Sequence, residues 1–189
     1  MNVRKTKSKA VKVLLIAAAA VLVLFIACMA FLLDYYHADL EAIAGVTADS
    51  TVSMRYDEDG NIIWEPEQAS SGLVFYQGAK VEHKAYIPLM DELASKGILC
   101  VLIKMPFQMA AFDMDAAEEM PEDFPQIKDW YLGGHSFGGS MAASYLAEDE
   151  EGFDGLILLG SYSVTDLSRT GLEVLSVYGS NDLVLNREK

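Results

Sequence analysis

The sequence predicts an α/β fold: a mostly parallel sheet flanked by helices, preceded by one N-terminal transmembrane helix. Three observations carry this. Short, continuous apolar runs alternate with stretches of helical spacing, as expected for strands buried on both faces and joined by helical crossovers. A run of 21 residues from Val13 to Leu33 holds no charged and no strongly polar side chain. Between a strand-like run and a helix-like run, Gly134-His135-Ser136-Phe137-Gly138 reads Gly-x-Ser-x-Gly.

The N-terminus comes first. Residues 1–12 form a basic tail with five cations (Arg4, Lys5, Lys7, Lys9, Lys12) and no acid. Residues 13–33, as a helix, would be about 31 Å long, which matches a hydrocarbon core of roughly 30 Å. The positive-inside rule keeps the basic tail in the cytoplasm and puts the rest of the chain outside. A cleaved signal peptide, cut after Ala30 and leaving a secreted domain, is the alternative, although signal apolar regions run only about 7–15 residues. Lipid attachment at Cys28 stays open as a third route. After the first twelve residues, 9 cations (the chain's 14 less those five) face 28 acids. Such a body repels nucleic acid and anionic membrane surfaces, so no nucleic-acid partner is expected. Two cysteines, Cys28 and Cys100, both in apolar runs, give no disulfide framework.

Residues 34–50 read as a stalk, and 51–189 as the folded domain. Thr51–Tyr56 and Asn61–Trp64 are strand-like, and Asp57-Glu58-Asp59-Gly60 suits a hairpin between them. Leu73–Tyr76 is an apolar strand, followed by the loop Gln77–Lys80. Ala85–Lys96 has helical spacing and Gly97 stops it. Ile98–Ile103 is a buried strand. Met109–Met120 is acidic and partly helical, and Pro121–Pro125 breaks it. Trp130–Gly133 leads into the Gly-x-Ser-x-Gly turn, and Gly139–Leu146 is the helix behind it. Gly155–Gly160 and Glu173–Tyr178 are further strands, the last reading as interior. The connection from Gly160 to Leu172 is too short for a lid, so an open site is expected.

Strand, tight turn and helix are the setting in which Gly-x-Ser-x-Gly becomes a nucleophile elbow. A serine on so sharp a turn has strained backbone angles, and bulky neighbours at Gly134 and Gly138 would collide with it. The helix start then aims amide N–H groups at an anion formed beside the serine.

At this point the chain resembles the alpha/beta-hydrolase superfamily, in particular its small, lidless bacterial members. Val74–Val81 looks like the strand and loop of the oxyanion hole, Gly133–Gly139 like the elbow, and Val177-Tyr178-Gly179-Ser180-Asn181-Asp182 like the strand and turn that bear the triad acid. The resemblance implies a serine hydrolase acting on a small-molecule acyl substrate, a carboxylic ester or possibly an amide or thioester, through an acyl-serine intermediate. It implies Ser136 as nucleophile, the backbone N–H groups of Phe137 and Ala79 as oxyanion hole, and Asp182 as the acid that steadies a catalytic histidine. It implies no metal and no organic cofactor.

The family order is serine, acid, histidine, and the chain's three histidines, His37, His83 and His135, all precede Asp182. His135 is expected to point away from the serine, and His83 to be a solvated loop residue on the same edge of the sheet, open as a substitute base. A serine without a base is a weak nucleophile. The expectation is therefore a C-terminally truncated, impaired hydrolase. The alternative is a non-catalytic binding module or inactive fragment of the same fold. In the resembled fold a further strand and helix follow and cover Glu173–Tyr178, so in this chain that apolar strand is expected at an uncovered sheet edge.

Overall fold

The computed structural model describes residues 3–46, 51–182 and 184; the last four residues of the expected stalk, 47–50, lie outside the described residues. The chain divides into two compact units, residues 1–34 and 35–189.

The first unit is the helix α1, Val3–Leu33. It is continuous from the basic tail into the apolar run. Its Val11–Leu33 stretch, 23 residues with a mean hydropathy of 3.0, is long and apolar enough to cross a membrane.

The second unit is an α/β sandwich. A short helix α2 (Leu40–Ala44) begins at Asp39, whose carboxylate accepts from the Glu41 and Ala42 amides. Seven described strands follow: β1 Val52–Tyr56, β2 Ile62–Pro66, β3 Ser71–Tyr76, β4 Ile98–Leu102, β5 Asp129–His135, β6 Gly155–Leu159 and β7 Glu173–Val177. Their order across the sheet is β1-β2-β4-β3-β5-β6-β7. β1 and β2 form an antiparallel hairpin, and β2 runs antiparallel to β4. From β4 onward all neighbours are parallel. The hairpin turn is the expected one: Asp57 Oδ1 accepts from the Asp59 and Asn61 amides, and Gly60 takes φ +85°.

Side chains alternate between the two faces of the sheet, and each face builds its own core. On one face Val74, Tyr76, Leu99, Val101 and Leu132 pack with Ala142, Ala143 and Leu146 of α5 (Phe137–Glu148). On the other, Leu73, Phe75, Cys100 and Leu102 pack with Ile87, Met90 and Ala94 of α3 (Ile87–Ala94). α3 enters through a tight helical turn at His83–Tyr86 and has a proline in its first turn. It ends before Gly97, whose φ of +88° only glycine adopts cheaply. Burial of this kind pushes the Cys100 thiol up to about 12, so it is an apolar packing group.

One expectation is corrected. Met109–Met120 is mostly turns with one tight helical turn at Ala110–Phe112, and Pro121 does not break a helix: it opens α4, Met120–Asp123. The acids Asp113, Asp115, Glu118 and Glu119 crowd the segment and repel one another, and proline is well suited to a helix's first turn because it needs no N–H partner there. Among the described residues β7 is an uncovered edge strand, as expected for the chain without the further strand and helix of the resembled fold. It pairs with β6 alone, at the sheet's edge, and all five of its residues are exposed.

Candidate active site

β3, β5, β6 and β7 are parallel, so the segments that leave their C-terminal ends meet on one rim. Ser136 sits where β5 passes into α5. Its backbone has φ 51° and ψ −123°, a conformation that costs an L-residue of order 1–3 kcal/mol and persists only where the surroundings impose it. Here they do. The Ser136 amide donates to the Leu159 carbonyl at 3.0 Å, and the Ser136 carbonyl accepts from the Ser161 hydroxyl at 2.6 Å. The glycines follow from close approach. A Cβ on Gly134 would lie 2.5 Å from the Gly139 nitrogen, and one on Gly138 would lie 2.6 Å from the Tyr76 carbonyl oxygen and overlap that of Gln77. The serine is exposed, and its hydroxyl does not cap α5.

Ser136, His135, Phe137, Ser140, Gly160, Ser161, Tyr162 and Asp182 line one cavity of about 440 Å³. Asp182 reaches it from the turn after β7, where its amide donates to the Gly179 carbonyl. The Phe137 amide lies at the start of α5. Ala79 lies in the loop after β3, whose last residue, Tyr76, is in register with Gly134 of β5. Among the described residues neither amide donates to another protein group. The expected residues Ser136, Phe137, Gly134, Gly138 and Asp182 are thus grouped around the elbow, and Ala79 is one strand away on the same rim. The connection from Gly160 to Leu172 contains no helix.

One histidine departs from expectation. His83 is not solvated. It is 5% exposed, with neither ring nitrogen hydrogen-bonded, and burial together with the nearby Lys84 and Lys104 lowers its pKa to about 4. His135 is among the residues lining the cavity, and its ring packs against Tyr86. A Cβ on Gly160 would lie 3.8 Å from both His135 Nε2 and Asp182 Oδ2, so ring and carboxylate share that corner. Burial lowers the pKa of His135, and Asp182 opposes the shift. Its Nδ1 is 2.9 Å from the Tyr86 hydroxyl, which also accepts from the Gly78 amide at 3.0 Å. One hydroxyl therefore links the Gln77–Lys80 loop to the residue before the serine. No local pattern in the sequence marks Tyr86. Among the described residues no group of three or more His, Cys, Asp or Glu is placed to hold a metal ion.

A helix-flanked, mostly parallel sheet with a strained serine at a strand-to-helix junction is the architecture of the alpha/beta hydrolases. The chain belongs to that family: the alpha/beta hydrolase family model matches residues 72–189. Two solved structures, with TM-scores above 0.5, show the same fold. A dienelactone hydrolase from Anabaena variabilis superposes with a TM-score of 0.56 at 17% identity, over 70% of this chain and 76% of that one. A protein of Thermus thermophilus gives 0.52 at 18% identity, over 66% and 63%. A bacterial heroin esterase gives 0.49 at 17% identity, over 65% of this chain and 48% of its own length. The chain thus spans between about half and two thirds of the last two structures. No curated protein matches it in sequence.

Proposed function

We propose that this chain is a membrane-anchored serine hydrolase whose domain faces outward and which cleaves a small carboxylic ester, an amide or thioester being open to the same chemistry. The observation that carries the proposal is Ser136, exposed on a left-handed backbone at the start of α5. In the proposed reaction Ser136 Oγ attacks the acyl carbonyl. The carbonyl's π electrons move to its oxygen, and the Phe137 and Ala79 N–H groups hold the oxyanion. Losing one such donor typically costs about 10²–10³ in rate. Collapse of the tetrahedral species expels the alcohol, which takes up the proton lost by the serine. Water then releases the acid from the acyl-serine. Asp182 stabilises positive charge on an imidazole at the acid side of the cavity. Residues 13–33 hold the domain at the membrane, with residues 1–12 on the cytoplasmic side; a cleaved signal would release the same domain.

Turnover is proposed to be impaired. Among the described residues Ser136 Oγ hydrogen-bonds to no histidine. His135 is the one histidine lining the cavity, and its Nδ1 is occupied by Tyr86. That same observation supports the second reading, a non-catalytic module of the hydrolase fold. The two separate in a hydrolysis assay on a short-chain aryl ester, using the full chain in membranes. The enzyme reading expects slow release that Ser136→Ala lowers to the uncatalysed rate and Asp182→Asn lowers in part. Release equal in wild type and Ser136→Ala supports the module.

A further inference from the structure

We infer that Tyr36–Ala38, just beyond the apolar helix, is a positioning element of the active site rather than part of a passive stalk. The inference rests on the reading of Ala79 as an oxyanion donor. Tyr36 lies in a parallel β-bridge with Val81. The Tyr36 amide donates to the Lys80 carbonyl at 2.7 Å, and the Glu82 amide donates to the Tyr36 carbonyl at 2.8 Å. The Ala38 amide donates to Glu82 Oε2 at 3.1 Å, and His37 Nδ1 is 3.5 Å from that same oxygen. Ala38 is buried. The segment is therefore tied by one β-bridge to the outer side of the loop after β3.

The inner side of that loop is held as firmly. The Lys80 amide donates to the Gln108 carbonyl at 2.8 Å, and Gln77 Nε2 donates to Gln108 Oε1 at 2.6 Å and to the Val81 carbonyl at 3.0 Å. Lys80, between the two ties, has φ 59°, and Phe107 and Gln108 have φ 51° and 56°. A non-glycine residue stays in that region only where its neighbours impose it. Lys80 is the residue after Ala79, so the backbone that aims the Ala79 N–H is clamped between Gln108 and Tyr36. Freeing the outer clamp lets Lys80 relax and turns the Ala79 N–H away from the oxyanion.

Glu82 is the handle, because one carboxylate oxygen faces both Ala38 and His37. The test compares wild type, Glu82→Ala and Glu82→Gln in the full chain in membranes, with two readouts. The first is hydrogen exchange of the peptides covering residues 35–38 and 78–82. The second is the second-order rate of fluorophosphonate labelling at Ser136. Glu82→Ala is expected to speed exchange about tenfold and slow labelling about five- to tenfold. With an ester substrate the loss falls on kcat while KM is unchanged. Glu82→Gln, which keeps an acceptor oxygen for the Ala38 amide, restores both. Labelling equal in wild type and Glu82→Ala, with faster exchange, overturns the inference and leaves the role of Ser136 standing. A wild-type chain that does not label overturns the reading of Ser136 and this inference together.

Discussion

β3 and β7 are both short, mostly apolar strands, and their surroundings are opposite. β3 lies between β4 and β5 with both faces covered, and Leu73, Val74, Phe75 and Tyr76 are all at most 4% exposed. In β7 Val174, Leu175 and Val177 are 51%, 55% and 49% exposed. The proposed site draws on each: Ala79 follows β3 and Asp182 follows β7. An apolar run therefore reports a strand but not how much covers it. The difference also divides the proposed site. The elbow and the Gln77–Lys80 loop rest on the most deeply packed part of the sheet, and Asp182 follows an edge strand that, among the described residues, pairs with β6 alone.

This contrast makes predictions of graded size. Phe75→Ala, at 1% exposure in β3, should cost about 3–5 kcal/mol, while Leu175→Ala in β7 should stay within about 0.5 kcal/mol. Chemical denaturation of the two variants checks this, and equal losses would erase the distinction. Tyr86→Phe leaves the Gly78 amide and His135 Nδ1 without their shared hydroxyl, at a cost of about 1–3 kcal/mol. Fluorophosphonate labelling of Ser136 should slow in that variant, because the bridge between loop and elbow is gone. A melt and a labelling rate both equal to wild type would remove Tyr86 from the account.

The pH dependence is smaller and has a definite sign. The pKa of His83 is lowered from 6.5 to about 4 in the folded state. Between those values the unfolded chain binds the extra proton, so this contribution is present above pH 6.5 and is lost as pH falls toward 4. Burial moves His135 in the same direction, with Asp182 opposing. Thermal melts of wild type should therefore drop between pH 6.5 and 4, and His83→Leu should flatten that slope. A slope unchanged in His83→Leu would show that His83 does not titrate against folding.

The strands and the elbow were legible because each is written in consecutive residues. Continuous apolar runs announced β3, β4 and β6, and the glycines at 134 and 138 announced a turn with no room for Cβ atoms. What was not legible depends on residues far apart in the chain. The Tyr36 contacts with Lys80 and Glu82 join segments that no spacing rule connects, and the Ala38 amide finds Glu82 across 44 residues. Tyr86 reaches His135 across 49. The burial of His83 escaped for a related reason. A histidine beside Lys84 looks solvated until the packing around it is known. The acidic stretch from Asp113 to Glu119 had helical composition, but helix formation would have stacked like charges on one face.

The most direct test of the central claim is the site of covalent capture. The membrane-embedded full chain is treated with a fluorophosphonate, digested and mapped by mass spectrometry. The account predicts phosphonylation on the peptide carrying Ser136 and none in Ser136→Ala. An adduct on another residue, or a wild-type chain left unmodified, would contradict it.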